Sequence, residues 1–342
     1  MERKELMELL FAAAKNQPCA NFSVDDVQEA ARNAVVDYLG LTEITGRELR
    51  KHRDECFDII EEVVDQVVPA KMTDILGAFA EVKSFGRDDQ VKFDIKRVGK
   101  NRIKAAILPG ARGGIYRARR LDTNNLYLTT HVETIAYMIT LEELLTGQRN
   151  IADVVAVIVE GLVEKVWIGI VQALRAAYAS VPALNKASVS GTSLSASALD
   201  SVIRTISAYG KPIILGFSSL VDQINNQVNF ANAAPNINAQ DLLEVRNQGY
   251  VGIYHGAPVV KLPNYFVDET NTQWIFQEQD LFILPGDAKP VKVAFQGDAY
   301  TAEVEQPHGG KEWHLHKMMG IGLLFYNNIG IYRQNGINKG LY

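Results

Sequence analysis

Three histidines near the end of the chain have the residue type and spacing for metal chemistry. His314 and His316 stand two residues apart in a predicted strand, so both imidazoles would point to one face of a sheet, and His308 lies a few residues upstream. Imidazole groups arranged in this way bind zinc or iron. One hypothesis is therefore a soluble metal-dependent enzyme that uses these three side chains. The other is a pair of partly exposed histidines in front of an apolar strand.

The rest of the sequence contains no catalytic motif that we recognise. Its Gly-Lys pairs at 99, 210 and 310 are followed by Asn, Pro and Glu, whereas a phosphate-binding P-loop requires Ser or Thr. The patterns of dinucleotide-binding folds, serine hydrolases and zinc proteases are also absent from the sequence. We therefore predict a protein that is not an enzyme and has no cofactor.

Acidic and basic side chains are concentrated in different parts of the chain. Residues 1–70 contain fifteen acidic and eight basic side chains, whereas residues 83–120 contain twelve Lys or Arg and three Asp. A solvated surface or a nucleic-acid strip would account for the basic stretch, but we favour two complementary surfaces that meet between subunits. The basic candidates are Lys92, Lys96, Arg97, Lys100, Arg102, Lys104, Arg117, Arg119 and Arg120. The acidic candidates, on one face of a predicted helix, are Asp54, Asp58, Glu61, Glu62 and Asp65.

Composition limits the class of protein. The chain has 342 residues, of which 47% are hydrophobic and 22% charged, as expected for a globular protein of two or three domains. A net charge of -5 gives no overall attraction to nucleic acid. We predict no membrane partner, because charged residues interrupt every long apolar run. Two cysteines are too few for a disulfide framework, which favours a reducing compartment.

Hydrophobic periodicity divides the chain into five segments and predicts the α+β class. Residues 1–82 are predicted to be helical, with a third helix that ends before Pro69, and residues 83–121 form a long basic hairpin. Residues 122–184 contain a strand over 125–139 and a helix of about 28 residues that ends near Tyr178. Residues 185–305 begin with a small-residue connector at 187–195 and then mix helices with strands, and residues 306–342 are mostly strand.

This order of segments resembles the tailed-bacteriophage major capsid proteins, whose fold is shared with encapsulins and with the floor of the herpesvirus capsid. The phrases that carry the resemblance are Gly210-Lys-Pro-Ile-Ile-Leu-Gly216 and Asn328-Ile-Gly-Ile-Tyr-Arg333. The resemblance implies that 1–82 is an N-terminal arm and 83–121 an extended loop lying across a neighbouring subunit. It makes 122–184 a peripheral domain with a spine helix, and 185–305 an axial domain. Residues 306–342 would then return to pair with the strand at 125–139.

The implied function is a coat protein that assembles, as hexamers and pentamers, into the icosahedral head of a tailed phage around double-stranded DNA. Scaffolding, portal and decoration proteins are the further partners that the resemblance implies. The expected location is the virion capsid, after assembly in the host bacterial cytoplasm. An encapsulin-type nanocompartment shell and a tail-tube subunit remain open as alternatives, beside the metal-dependent enzyme.

Overall fold

The computed structural model describes residues 3–14, 24–40, 51–95, 124–137, 151–179, 187–227, 252–305, 311–324, 328–337 and 340–341. Its strands form a four-stranded sheet, a six-stranded sheet and a two-stranded ribbon. Helices pack against both of the larger sheets. The architecture is therefore the α+β class that the sequence predicts.

The N-terminal part of the chain is helical, as predicted. Its helices are α1 (Arg3–Ala14), α2 (Val24–Tyr38) and α3 (Arg53–Leu76). The apolar stripe of α1 is buried, and α1 packs on both α2 and α3. The arm therefore folds against its own chain through an apolar core.

Helix α3 continues through Pro69, so the prediction that it ends before this proline was wrong. Proline lacks the backbone N–H and clashes with the preceding turn, which costs about 3 kcal/mol within a helix. Val67 and Val68 before the proline, and Met72 and Leu76 after it, are nearly or fully buried. Each such side chain contributes about 1.5 to 3 kcal/mol on burial, so packing on both sides outweighs the cost of the proline.

The four-stranded sheet carries helices on one face. Its strands, in spatial order, are β1 (Ala80–Phe85), β10 (Val291–Glu305), β11 (Lys311–Leu323) and β4 (His131–Tyr137). Strands β1 and β10 are parallel, and the other two pairs are antiparallel. Helix α3 and the long helix α4 (Ile151–Ala179) cover the inner face. Phe57 of α3 meets Trp313 of β11 edge to face, with ring centroids 4.7 Å apart.

A short ribbon lies on the opposite face of this sheet. It consists of β2 (Lys92–Ile95) and β3 (Asn124–Tyr127), which are antiparallel. Phe93 of β2 is fully buried and packs with Ala294 of β10. The chain after β3 crosses β11 so closely that a Cβ atom on Gly320 would lie 2.8 Å from the backbone carbonyl oxygen of Thr129. Glycine is therefore favoured at position 320, because a backbone atom cannot move aside as the end of a side chain can.

The six-stranded sheet is covered on both faces. Its strands, in spatial order, are β5 (Ser188–Gly191), β12 (Gly330–Gln334), β9 (Asp280–Pro285), β6 (Pro212–Gly216), β8 (Ala257–Lys261) and β7 (Ile253–Tyr254). Helices α5 (Ala196–Ser207) and α6 (Ser218–Gln227) belong to the core on one face, and the other face joins the core of α1, α3 and α4. All residues of β9 are buried, as expected for a strand covered on both sides.

The predicted spine helix over 151–178 is confirmed by α4, which ends one residue later. The predicted pairing of the closing strands with residues 125–139 is also found, because Leu315 of β11 faces Ile135 of β4. Residues 125–139 do not form one strand, however. They divide into β3, which pairs with β2, and β4, which belongs to the four-stranded sheet.

Two further strands lie in a different layer from the one predicted for them. Strand β10 falls within the segment 185–305 that was expected to be axial, yet it joins the four-stranded sheet together with β1. Strand β12 falls within the closing segment 306–342, yet it joins the six-stranded sheet. A short 3-10 turn, Gly286–Ala288, carries the chain from β9 to β10. Strand periodicity is local and does not encode which sheet a strand enters.

None of the helices within the described residues has the length and apolar character needed to cross a bilayer.

The Phe57–Trp313 contact gives a test of how α3 is held on the sheet. Replacing Trp313, which is 3% exposed, with alanine should lower the free energy of unfolding by about 3 to 5 kcal/mol, because the cavity cannot fully close. Tyr300 on the opposite face is 51% exposed, and Tyr300→Ala should cost about 1 kcal/mol or less. Denaturant titration measures both values, and equal losses would contradict this packing.

Candidate functional site

The structure describes six of the fourteen predicted interface residues. They are the five acidic residues of α3 and Lys92 of β2. The other eight, which lie outside the described residues, are Lys96, Arg97, Lys100, Arg102, Lys104, Arg117, Arg119 and Arg120. The structure therefore shows all five residues of the predicted acidic surface, but only Lys92 of the predicted basic surface.

Asp65 of α3 holds an irregular turn within β10. The pairing of β10 with β11 shifts between Gln296 and Tyr300, which leaves backbone groups without ladder partners at that point. The carboxylate of Asp65 accepts hydrogen bonds from the N–H of Ala299 at 2.9 and 3.0 Å. It also accepts one from the buried Nζ of Lys317, which donates in addition to the carbonyl of Gly297 at 2.7 Å. This carboxylate therefore stabilises the monomer.

Two more of the predicted acidic residues contact their own chain. Glu61 accepts a hydrogen bond from the N–H of Thr301, and burial raises the pKa of Glu61 against the opposing effect of that bond. Glu62 binds a terminal nitrogen of Arg3 of α1 at 2.7 Å. Asp54 and Asp58 lie on the exposed side of α3. The acidic surface available to another molecule is therefore smaller than the sequence suggests.

A second ion cluster fixes the ribbon from which the basic stretch departs. Glu81 of β1 pairs with Lys83 at 2.7 Å and with the buried Lys292 of β10. The two ammonium groups lie 5.2 and 5.7 Å from the ring centroid of Phe93. Burial raises the pKa of Glu81, but the hydrogen bonds and charges of both lysines together lower it below its ordinary value. Lys92 is exposed beside this cluster, opposite Tyr127 of β3.

The third cluster joins the long helix to the six-stranded sheet. The carboxylate of Asp280 in β9 is fully buried and lies 3.1 Å from Nε of Arg175 in α4. Arg333 of β12 approaches the same carboxylate at 2.6 and 3.0 Å, and its guanidinium group lies over the ring of Tyr178. Burial lowers the pKa of Arg175, whereas the hydrogen bond to Asp280 raises that of Arg333. One carboxylate thus links three elements.

The predicted metal ligands are only partly described. His308 lies outside the described residues, and the rings of His314 and His316 are 6.3 Å apart on one face of β11. His316 stacks on Tyr300 and lies 2.8 Å from the hydroxyl of Thr134, and burial lowers its pKa. Within the described residues, no cluster of three or more His, Cys, Asp or Glu side chains could hold a metal ion. The metal hypothesis therefore receives no support from this part of the chain.

No local motif marks the residues at the centres of the second and third clusters. Glu81 and Lys292 are 211 positions apart, and Asp280 is 105 positions from Arg175 and 53 from Arg333. Isolated charges at such distances carry no motif. One feature of the sequence does predict buried ion pairs here. Asp280 and Arg333 each border or interrupt an apolar strand, where burying an unpaired charge would cost free energy.

The chemistry of these clusters is structural. Each places carboxylates against ammonium, guanidinium or backbone N–H groups at the junction of two elements, and each contains at least one buried charged side chain. Such arrangements fix geometry and do not expose a nucleophile or an acid to a substrate. The described residues therefore resemble a rigid building unit with charged surfaces.

A comparison with protein-family models finds one family. The model described as "SPbeta prophage-derived putative capsid protein YonB" matches residues 6–333. No curated protein sequence matches the chain.

Several solved structures are similar to the chain at low sequence identity. The bacteriophage PhiM1 mature capsid is 12% identical over 76% of this chain and 86% of that chain, with a TM-score of 0.47. The satellite phage P4 procapsid including the size determination (Sid) protein is 12% identical over 85% and 98%, with a TM-score of 0.49. The virus-like particle from Pyrococcus furiosus is 12% identical over 82% and 100%, with a TM-score of 0.43.

Removing the buried carboxylate of Asp280 should destabilise the fold strongly. Asp280→Asn leaves two guanidinium groups facing a neutral amide, and breaking a buried ion pair in this way costs about 3 to 5 kcal/mol. Asp54 is 84% exposed, and Asp54→Asn should change the stability by about 0.5 kcal/mol or less. Denaturant titration compares the two variants, and a loss for Asp280→Asn as small as that for Asp54→Asn would contradict the cluster's role.

The Glu81 cluster should give a pH-dependent contribution. Because the pKa of Glu81 in the folded chain lies below its ordinary value of 4.5, its contribution to stability is fully present above pH 4.5 and is lost as the pH falls through the folded-state value. Glu81→Gln should therefore be less stable than the wild type at neutral pH, with a difference that shrinks in acid. Thermal unfolding from pH 7 to pH 3 measures it, and a difference that does not change with pH would contradict the assignment.

Proposed function

Because the chain belongs to the family of the SPbeta prophage-derived capsid protein YonB, we propose that it assembles with its own copies into a closed icosahedral shell around double-stranded DNA. The observation that carries this proposal is the family match, which spans residues 6–333. Proteins of this family are structural capsid proteins and not enzymes, so the metal-dependent enzyme hypothesis is set aside. The residues of the three ion clusters then belong to the shell's building block.

Shell formation requires many modest contacts repeated by symmetry. A single exposed ion pair contributes only about 0.2 to 1 kcal/mol, but each subunit of a closed shell makes several such contacts, and their effects combine. A subunit with a rigid interior suits this arrangement, because little conformational entropy is lost on assembly. We propose that the copies are arranged as hexamers and pentamers.

Charge supports a contact between the basic stretch of one copy and an acidic surface of another. Residues 83–120 carry a net charge of +9, from twelve basic and three acidic side chains. On α3, Asp58 and Asp54 remain exposed, and within the described residues Asp54 pairs with the neighbouring Arg53. These two members of the predicted acidic set can therefore meet the stretch without disturbing the contacts of α3 with β10 or α1.

The net charge of -5 also suits a container for DNA, because a wall that bound phosphates tightly would hinder packing and release of the genome. We propose the virion capsid as the location, reached by assembly in the cytoplasm of a bacterial host. Scaffolding, portal and decoration proteins are proposed as further partners.

Negative-stain electron microscopy of the purified chain, with light scattering for mass, tests the proposal. We expect closed particles, or rings of five and six subunits. A uniform monomer at high concentration, both alone and after co-expression with a scaffolding protein encoded beside its gene, would contradict the shell.

A charge-reversed loop should assemble poorly although its monomer remains folded. Lys96→Glu combined with Lys100→Glu reverses charge in the stretch proposed to meet a neighbour, so particle formation should fall at least about tenfold, the effect of losing roughly 1.4 kcal/mol per contact. Lys4→Glu with Lys261→Glu makes the same change of charge at exposed sites elsewhere and serves as the control. Circular dichroism checks folding, and normal particle yields from the loop variant would contradict the docking role.

A further inference from the structure

An ordered hairpin with exposed aromatic residues projects between β8 and β9. It spans residues 264–276, which we call the aromatic hairpin. Its strands are held by hydrogen bonds from the N–H of Val267 to the carbonyl of Gln273 at 2.8 Å and from the N–H of Ile275 to the carbonyl of Tyr265 at 2.9 Å. Between them, Phe266 and Trp274 stack with ring centroids 3.8 Å apart.

The turn of the aromatic hairpin is fixed by one carboxylate. Asp268 accepts hydrogen bonds from the N–H groups of Thr272 at 3.1 Å and Gln273 at 2.9 Å, and from the hydroxyl groups of Thr270 and Thr272. These bonds satisfy the turn from within, so its shape does not depend on another molecule.

The base of the aromatic hairpin is anchored in the core. Phe276 is 1% exposed and stacks on Phe217 with ring centroids 5.4 Å apart. The side chain of Asn264 pairs with both backbone groups of Phe276, at 3.0 and 3.1 Å, and donates to the buried Glu278. Because the turn and the base of the hairpin are already ordered, less conformational entropy is lost when the hairpin binds another molecule.

Apolar side chains on the aromatic hairpin lie open to solvent. Tyr265 is 54% exposed, Val267 is 52% exposed and Phe266 is 38% exposed. Leu341 is 50% exposed and adjoins them, because its N–H donates to the carbonyl of Trp274 at 2.9 Å. Strand alternation places Tyr265 and Val267 on one face of the aromatic hairpin and Phe266, with Trp274, on the other. Exposed apolar side chains grouped on one anchored element are typical of an interaction surface.

The charges around this patch indicate what it binds. Residues 263–279 contain no Lys, Arg or His, and of their three acidic side chains Glu269 is exposed, Asp268 is half-buried at the turn and Glu278 is buried. Residues 96–123 contain nine Lys or Arg and one Asp. Aromatic faces beside carboxylates attract guanidinium and ammonium groups through cation–π contacts and ion pairs. We infer that the aromatic hairpin binds the basic segment 96–123 of a second copy of the chain.

This inference rests on the proposed shell and adds a contact beside the one proposed for α3. Every copy carries both an aromatic hairpin and a basic segment. Each copy can therefore bind one neighbour through its hairpin and another neighbour through its basic segment. Such a head-to-tail contact is heterologous, and it closes into rings when the rotation between copies permits. The basic segment would then meet a surface that offers apolar burial as well as charge.

Photo-crosslinking in assembled particles tests which segment of the chain binds the aromatic hairpin. Tyr265→p-benzoyl-phenylalanine places a photoreactive group on the patch, and Tyr300→p-benzoyl-phenylalanine is the control on the open face of the four-stranded sheet, at 51% exposure. After irradiation we expect chains linked in pairs through position 265, with cross-linked peptides from residues 96–123, and a different peptide set from position 300. No cross-link at position 265, one within its own chain, or one to any other segment would overturn the inference.

Matched surface variants measure how much the patch contributes. Tyr265→Ser with Val267→Ser should raise the chain concentration needed for particle formation about tenfold or more, as expected when central apolar contacts of an interface are lost. Ile253→Ser removes an equally exposed apolar side chain from β7 and should leave that concentration unchanged. If the wild type forms no particles, either alone or with a co-expressed scaffolding protein, the proposed shell fails. If the wild type and the hairpin variant assemble alike, only this inference fails.

Discussion

The fully buried carboxylate of Asp280 is the contact on which the relation between the two layers of the molecule depends. It forms ion pairs with Arg175 in the last turns of α4 and with Arg333 of β12. Helix α4 also packs against the four-stranded sheet. One ion cluster therefore sets how the long helix meets the six-stranded sheet. The apolar core continues around the cluster from one layer to the other, so the cluster sets the orientation of α4 relative to the six-stranded sheet within a packed interior.

The carboxylates of α3 show how charge can mislead when it is read without the fold. A row of acidic residues at helical spacing looks like a surface for another molecule, yet Asp65 and Glu61 complete the irregular turn of β10, and Glu62 holds α1. A strand irregularity leaves backbone N–H groups that need acceptors, and a neighbouring helix is the nearest source of them. Part of the acidity therefore serves the monomer.

A rigid interior and ordered projections suit a protein that works by assembling with its own copies. The ribbon of β2 and β3 is locked by Phe93 and two lysines, and the aromatic hairpin is locked by Asp268 and Phe276. Both elements therefore present their outer residues in a fixed geometry. Contacts that lose little entropy on formation can be individually weak and still close a shell, because symmetry repeats them in every copy.

The sequence by itself determined the α+β class, the helical arm, the spine helix, the buried strand at 212–215 and the resemblance to capsid proteins. These features are local, since they depend on hydrophobic periodicity and turn residues within short windows. The tertiary structure alone decided that β10 and β12 enter sheets other than those expected, that α3 passes through Pro69, and that Asp280 pairs with two distant arginines. Those outcomes depend on which surfaces pack together, because burial outweighs local preference, and contacts between residues far apart in the chain leave no trace in local periodicity.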